Sequence, residues 1–141
     1  YYNCCRACYC LRMRYFEYSE FDCPCKTCQA NGEGKGEDEM NQDFLDMLDH
    51  ARHLSGIPFK INSGFRCAAH HRSLKARGYK TAKNSPHCDG YAADIHCTDS
   101  RSRGYIIGAL YEAGFNRIGI GKTFIHTDDH PAKDADVVWL Y

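Results

Sequence analysis

The chain of 141 residues lacks a charge imbalance, an apolar run long enough to cross a bilayer, and an internal repeat. Lysine and arginine number 18, and aspartate and glutamate also 18, so no net field draws the protein to nucleic acid or to a membrane surface. No nucleic-acid partner is therefore expected, and the basic run from Arg66 to Lys83 reads as a solvated face or a substrate-contact edge. No segment reaches the ~18 apolar residues of a membrane span. The first residues lack the apolar core of a signal peptide, although a chain already processed would look the same, so localisation is left open. Near the usual size of one domain and without repeats, the chain is expected to bury a single core.

Cysteine is abundant. Of ten, seven fall in the first 28 residues: Cys4, Cys5, Cys8, Cys10, Cys23, Cys25 and Cys28. Cys5-x-x-Cys8 and Cys25-x-x-Cys28 stand 16 residues apart, the knuckle spacing of a four-thiolate structural zinc site. Disulfides and ordinary free thiols are the alternatives. Residues 1–30 thus read as a Cys-rich N-terminal arm with a candidate zinc knuckle. Residues 31–39, glycines among charges, read as a flexible loop, and 40–141 as the main domain.

Within the main domain, Phe44, Leu45, Leu48, Ala51 and Leu54 follow helical spacing, with Asn41 as N-cap and Gly56 past the end. Residues 58–63 alternate as a half-buried strand, 67–77 form a short helix or turn, and 92–96 form a short buried strand. A helix capped by Asp99 or Ser100 runs to Gly114, and strands follow at 117–120, 124–127 and 137–141. This order predicts an α+β fold: a compact single domain with a central antiparallel sheet and helices on one face.

The segment from Ser85 to Asp94 carries the most chemical information. His87 precedes Asp94 by seven residues, with Gly90 to turn the chain and small alanines leading into a strand. In Phe124-Ile125-His126-Thr127-Asp128, alternation puts His126 and Asp128 on one strand face. His87, Asp94 and His126 are candidate ligands of a zinc ion with its fourth position open, the arrangement a catalytic zinc needs to activate water against an amide. Residue chemistry alone leaves a second reading open, in which the histidines are surface or hydrogen-bonded core residues and Asp94 is a cap.

Three motifs together, Ser63-Gly64-Phe65-Arg66, Ser85-x-His87-x-x-Gly90-x-Ala92-x-Asp94 and Phe124-Ile125-His126-x-Asp128, resemble the zinc D-Ala-D-Ala carboxypeptidase family. Within it the likeness is to the small peptidoglycan peptidases of bacteria and phage. It runs from Tyr15 to Tyr141, taking in Gly114-Phe115-x-Arg117-Ile118-Gly119-Ile120 and Val138-Trp139. The resemblance implies a compact α+β domain built on an antiparallel sheet, with Zn2+ held by His87, Asp94 and His126. It implies hydrolysis of peptide bonds in peptidoglycan stem peptides, as a carboxypeptidase or an endopeptidase, and a monomer is expected. Arg66 would meet a substrate carboxylate or carbonyl oxygen, a task suited to its forked, permanent charge, with Ser63 and Ser85 as nearby donors on the substrate side.

One position departs from the family. Several relatives carry a carboxylate three residues before the last histidine as general base, and here Thr123 stands there. Asp128 is the nearest replacement as a catalytic base, or else it orients a ligand histidine. If no carboxylate serves as base, the alternative is a catalytically impaired, zinc-containing cell-wall or protein-binding module.

Overall fold

A computed structural model describes residues 13–32 and 34–141. Among these, the helices are α1 (Lys26–Ala30), α2 (Gly36–Glu39), α3 (Gln42–Ser55), α4 (Ala68–Ala76) and α5 (Ser100–Ala113). The strands are β1 (Ile61–Ser63), β2 (Ala92–His96), β3 (Arg117–Ile120), β4 (Phe124–Asp128) and β5 (Val137–Leu140), with 3-10 turns at Tyr18–Phe21 and Pro86–Asp89.

The two long helices form as their sequences dictate. Asn41 Oδ1 accepts from the Phe44 amide at 2.9 Å to start α3, and Gly56 ends it in the left-handed conformation at φ 69°. Asp99 caps α5 in the same way, accepting from the Ser102 amide at 2.8 Å. Phe44, Leu45 and Leu48 of α3 pack with Ile106 and Leu110 of α5, and together they cover Ile95, Ile118 and Ile125 of the sheet. Burying each of these large side chains contributes roughly 1.5–3 kcal/mol.

Strand order in the sheet is β1-β2-β4-β3-β5. Neighbours are antiparallel except for β3 and β5. The exception follows from the path of the chain: it reverses after β4 through residues 129–136 and comes back beside β3, which also runs against β4. Because side chains alternate along each strand, Ile95 and Ile125 pair toward the helices while Asp94 and His126 pair on the opposite face. That face carries one continuous row across all five strands: Ser63 opposite Asp94, Asp94 opposite His126, His126 opposite Gly119, and Gly119 opposite Trp139.

One expectation changes and another is sharpened. Residues 31–39 are not a structureless loop: Gly36–Glu39 is helical, and Asp22 Oδ1 accepts from the Gly36 amide at 2.9 Å. A Cβ at Gly36 would stand 2.3 Å from the Tyr18 carbonyl oxygen, so this glycine serves close approach rather than flexibility. The second half of the N-terminal arm packs on the main body. Phe16, Phe21, Cys23 and Cys28 belong to the core, and the buried Asp49 carboxylate of α3 accepts from the Arg14 and Tyr15 amides at 3.1 and 2.8 Å. Strand β1 takes in only Ile61–Ser63 of the alternating segment 58–63, and its pairing with β2 is irregular between Ile61 and Ser63.

Candidate active site

His87 is presented by the 3-10 turn Pro86–Asp89, whose start is capped by Ser85 Oγ accepting from the His87 amide at 3.3 Å. The turn closes on Gly90 at φ 77°, where a Cβ would fall 1.9 Å from the Glu39 carbonyl oxygen, so only glycine fits. His87 Nδ1 lies 2.7 Å from the Gly64 carbonyl oxygen. A carbonyl can only accept, so Nδ1 carries the hydrogen and Nε2 keeps its lone pair, pointing to Asp94 Oδ1 at 3.3 Å. From β4, His126 Nδ1 approaches the same Asp94 oxygen at 2.9 Å. Its other nitrogen, Nε2, donates to Asp128 Oδ2 at 2.8 Å.

Asp128 is itself held from behind. Arg117 Nε donates to Asp128 Oδ1 at 2.6 Å, and the same guanidinium donates to the Asp134 carbonyl oxygen. On the open side of the site, Arg66 donates from Nε to Ser63 Oγ at 3.0 Å and from a terminal nitrogen to Asp94 Oδ2 at 3.1 Å.

Burial and charge act against each other here. Burial lowers the pKa of His87 despite the attraction of Asp94, which favours the neutral imidazole. Burial also opposes charge on His126, but its hydrogen bonds to Asp128 and Asp94 outweigh it and raise that pKa. Both carboxylates are held below the ordinary range: burial pushes Asp94 up but its two histidine neighbours prevail, and His126 with Arg117 does the same for Asp128.

The donor set fits a zinc ion. Ligand atoms of His87, Asp94 and His126 all lie within 4.8 Å of one another. Two imidazole nitrogens and one carboxylate oxygen suit zinc, and each histidine has its remaining nitrogen fixed by an oxygen acceptor, as metal-binding histidines do. The set sits in a cleft of about 680 Å³, with Arg66 and His70 on one side and Phe124, Trp139 and Tyr141 on the other. The Trp139 and Tyr141 rings lie 5.5 and 6.3 Å from the His126 ring, and Arg117 stacks over Trp139 at 5.2 Å.

The three expected ligands are thus brought together. Arg66 and Ser63 adjoin them, Ser85 lies beneath the His87 turn, and Asp128 sits behind His126. Thr123 is exposed, and its carbonyl accepts from the Cys97 amide at 3.0 Å. Among the described residues lining the cleft, the carboxylates are Asp94 and Asp128. Sequence reading missed Arg117, Gly119, Trp139 and Tyr141. Alternation puts Arg117 and Gly119 on one face of β3, but only the register with β4 shows that this face is the one His126 occupies. Cys25 and Cys28 do gather with other thiols, those of Cys23 and Cys67. Their expected partners Cys5 and Cys8 lie outside the described residues.

Comparison with known proteins bears on the same residues. No curated protein matches the chain. Among solved structures, the L-Ala D-Glu endopeptidase ChiX of Serratia marcescens is similar in fold, with a TM-score of 0.54 and 20% identity over 65% of this chain and 81% of that one. A model of the peptidase M15 family matches residues 14–128, a span that includes Arg66, all three expected ligands and Asp128. The chain therefore belongs to the peptidase M15 family.

Proposed function

We propose that this chain is a zinc-dependent peptidase of peptidoglycan stem peptides, a D-Ala-D-Ala carboxypeptidase or an endopeptidase. The observation that carries the reading is the convergence of His87 Nε2, Asp94 Oδ1 and His126 Nδ1 in a cleft, within a chain of a peptidase family. ChiX is an L-Ala D-Glu endopeptidase, and the likeness in fold makes that bond a candidate here.

Zinc, when bound, supplies Lewis acidity, making water a nucleophile near neutral pH and polarising the carbonyl it attacks. The remaining work falls to side chains. Arg66, steadied by Ser63, offers its guanidinium to a substrate carboxylate or carbonyl oxygen at the mouth of the site. Ser85 and Gly64 hold His87 with Nε2 turned inward. Asp128 positions His126 rather than acting as the base, because its carboxylate is only 1% exposed and lies behind His126, bonded to His126 and Arg117. Trp139 and Tyr141 form an aromatic wall beside His126 that suits the apolar parts of a peptide.

A second reading, a zinc-containing binding module with impaired catalysis, is favoured by one observation. Thr123 replaces a carboxylate, and the two carboxylates of the cleft are engaged with histidine and arginine. Mass spectrometry of stem peptides incubated with the zinc-loaded chain separates the readings. Loss of one terminal alanine marks the carboxypeptidase and a break between L-Ala and D-Glu the endopeptidase. Intact peptide at full zinc occupancy supports the binding module.

A further inference from the structure

A second group of potential ligands lies apart from the His87 site. The Sγ atoms of Cys23, Cys25, Cys28 and Cys67 all lie within 4.8 Å of one another, with Cys25 and Cys67 at 3.6 Å. In a tetrahedral zinc site with Zn–S of about 2.3 Å, the sulfur-to-sulfur edge is about 3.8 Å. The four thiols therefore already stand near the spacing that one such ion would impose.

Backbone amides are aimed at three of these sulfurs. The Cys28 amide donates to Cys25 Sγ at 3.5 Å, the Cys67 amide to Cys23 Sγ at 3.5 Å, and the His70 amide to Cys67 Sγ at 3.4 Å. Such bonds favour thiolate over thiol. Metal-free, the cluster cannot ionise completely, because four negative charges would crowd within a few ångströms. A soft divalent cation removes that conflict, and thiolates select zinc among the common ones.

We propose that Cys23, Cys25, Cys28 and Cys67 hold a structural zinc ion, distinct from the proposed catalytic one. Binding breaks the S–H bonds of those cysteines still protonated and forms four Zn–S bonds. The released protons pass to solvent, no electrons are transferred, and the bound unit carries a charge of −2. The site revises the expectation that Cys25 and Cys28 would pair with Cys5 and Cys8. The second half of the knuckle comes instead from Cys67, 42 residues after Cys25.

The location gives the ion a task. Cys67 directly follows Arg66, and the adjoining Phe65 amide donates to the Phe21 carbonyl oxygen at 2.8 Å. The ion fastens the segment that carries Arg66 to the segment from Cys23 to Cys28, so that the arginine is held from both sides. This inference rests on the thiols alone and stands whether or not the chain cuts peptidoglycan.

The test counts metal and sulfur on the full chain purified under reducing conditions. Zinc analysis is expected to give two ions per chain, falling to one in Cys25→Ser/Cys67→Ser and, separately, to one in His87→Ala. Because the cysteine variant risks misfolding, cobalt(II) substitution of the unaltered chain gives an independent reading. A near-ultraviolet thiolate-to-cobalt charge-transfer band of four-sulfur intensity is expected, and it should persist in Cys5→Ser/Cys8→Ser and in His87→Ala. Absence of that band, or its loss in Cys5→Ser/Cys8→Ser, would overturn the assignment. So would an intact mass, in protein prepared without reductant, showing these four cysteines joined as two disulfides that admit no metal.

Discussion

Replacing Asp128 with asparagine isolates what this carboxylate does for His126. The substitution keeps the size of a side chain that is only 1% exposed and removes its charge. Asp128 now accepts from His126 Nε2 at 2.8 Å and from Arg117 Nε at 2.6 Å, with the His130 amide a longer third donor at 3.5 Å. An amide has one acceptor and one donor end, so it can satisfy one partner but must turn N–H toward the other. Losing the partner that orients a ligand histidine weakens metal binding about 10- to 100-fold, or roughly 1.4–2.7 kcal/mol. Fold stability should fall by about 3 kcal/mol, the lower end for a broken buried ion pair, because Arg117 keeps its bond to the Asp134 carbonyl. Chelator competition measures the zinc affinity, and urea unfolding of the metal-free protein measures the stability. If Asp128→Asn binds zinc as tightly as the parent while kcat collapses, Asp128 is a proton acceptor and its positioning role is refuted.

Other perturbations address separate parts of the account. Asn41→Ala removes the cap of α3 and should cost about 1 kcal/mol, read as a lower urea midpoint at unchanged m-value. Gly119→Ala should displace the aromatic wall, since a Cβ there meets the Trp139 ring at 2.7 Å. The overpacking costs roughly 1–3 kcal/mol, and fluorescence of Trp139, the chain's one tryptophan, should shift. Acidification should release zinc from the His87 site. The raised pKa of His126 means that zinc has to displace a proton over more of the acidic range than at an ordinary histidine. Affinity should fall roughly tenfold per pH unit for each proton displaced, measured by competition across a buffer series. A flat profile would mean that His126 is not a ligand.

Legibility in the sequence followed the range of the interactions. Helix α3 was readable because its cap at Asn41, apolar stripe and Gly56 are local features within one run of residues. That His87, Asp94 and His126 come together was expected from the resemblance of their short motifs to a known family, since spacing and strand alternation alone left a second reading open. The row linking Ser63, Asp94, His126, Gly119 and Trp139 was not, since it depends on the register of five strands drawn from distant parts of the chain. The same holds for Cys67, whose approach to Cys25 depends on the fold that packs Phe21 and Gly64 together. Glycines at 34 and 36 misled for a related reason: they look like flexibility in sequence, but Asp22 and Tyr18 need the space a side chain would fill.

Anomalous diffraction at the zinc edge, from crystals of the full chain grown with zinc, tests the central claim most directly. Besides the peak expected at the four cysteines, a second peak is expected bonded to His87 Nε2, Asp94 Oδ1 and His126 Nδ1, with a fourth direction open to the cleft beside Arg66. A fully occupied zinc elsewhere, with those three side chains hydrogen-bonded only to one another, would contradict the claim.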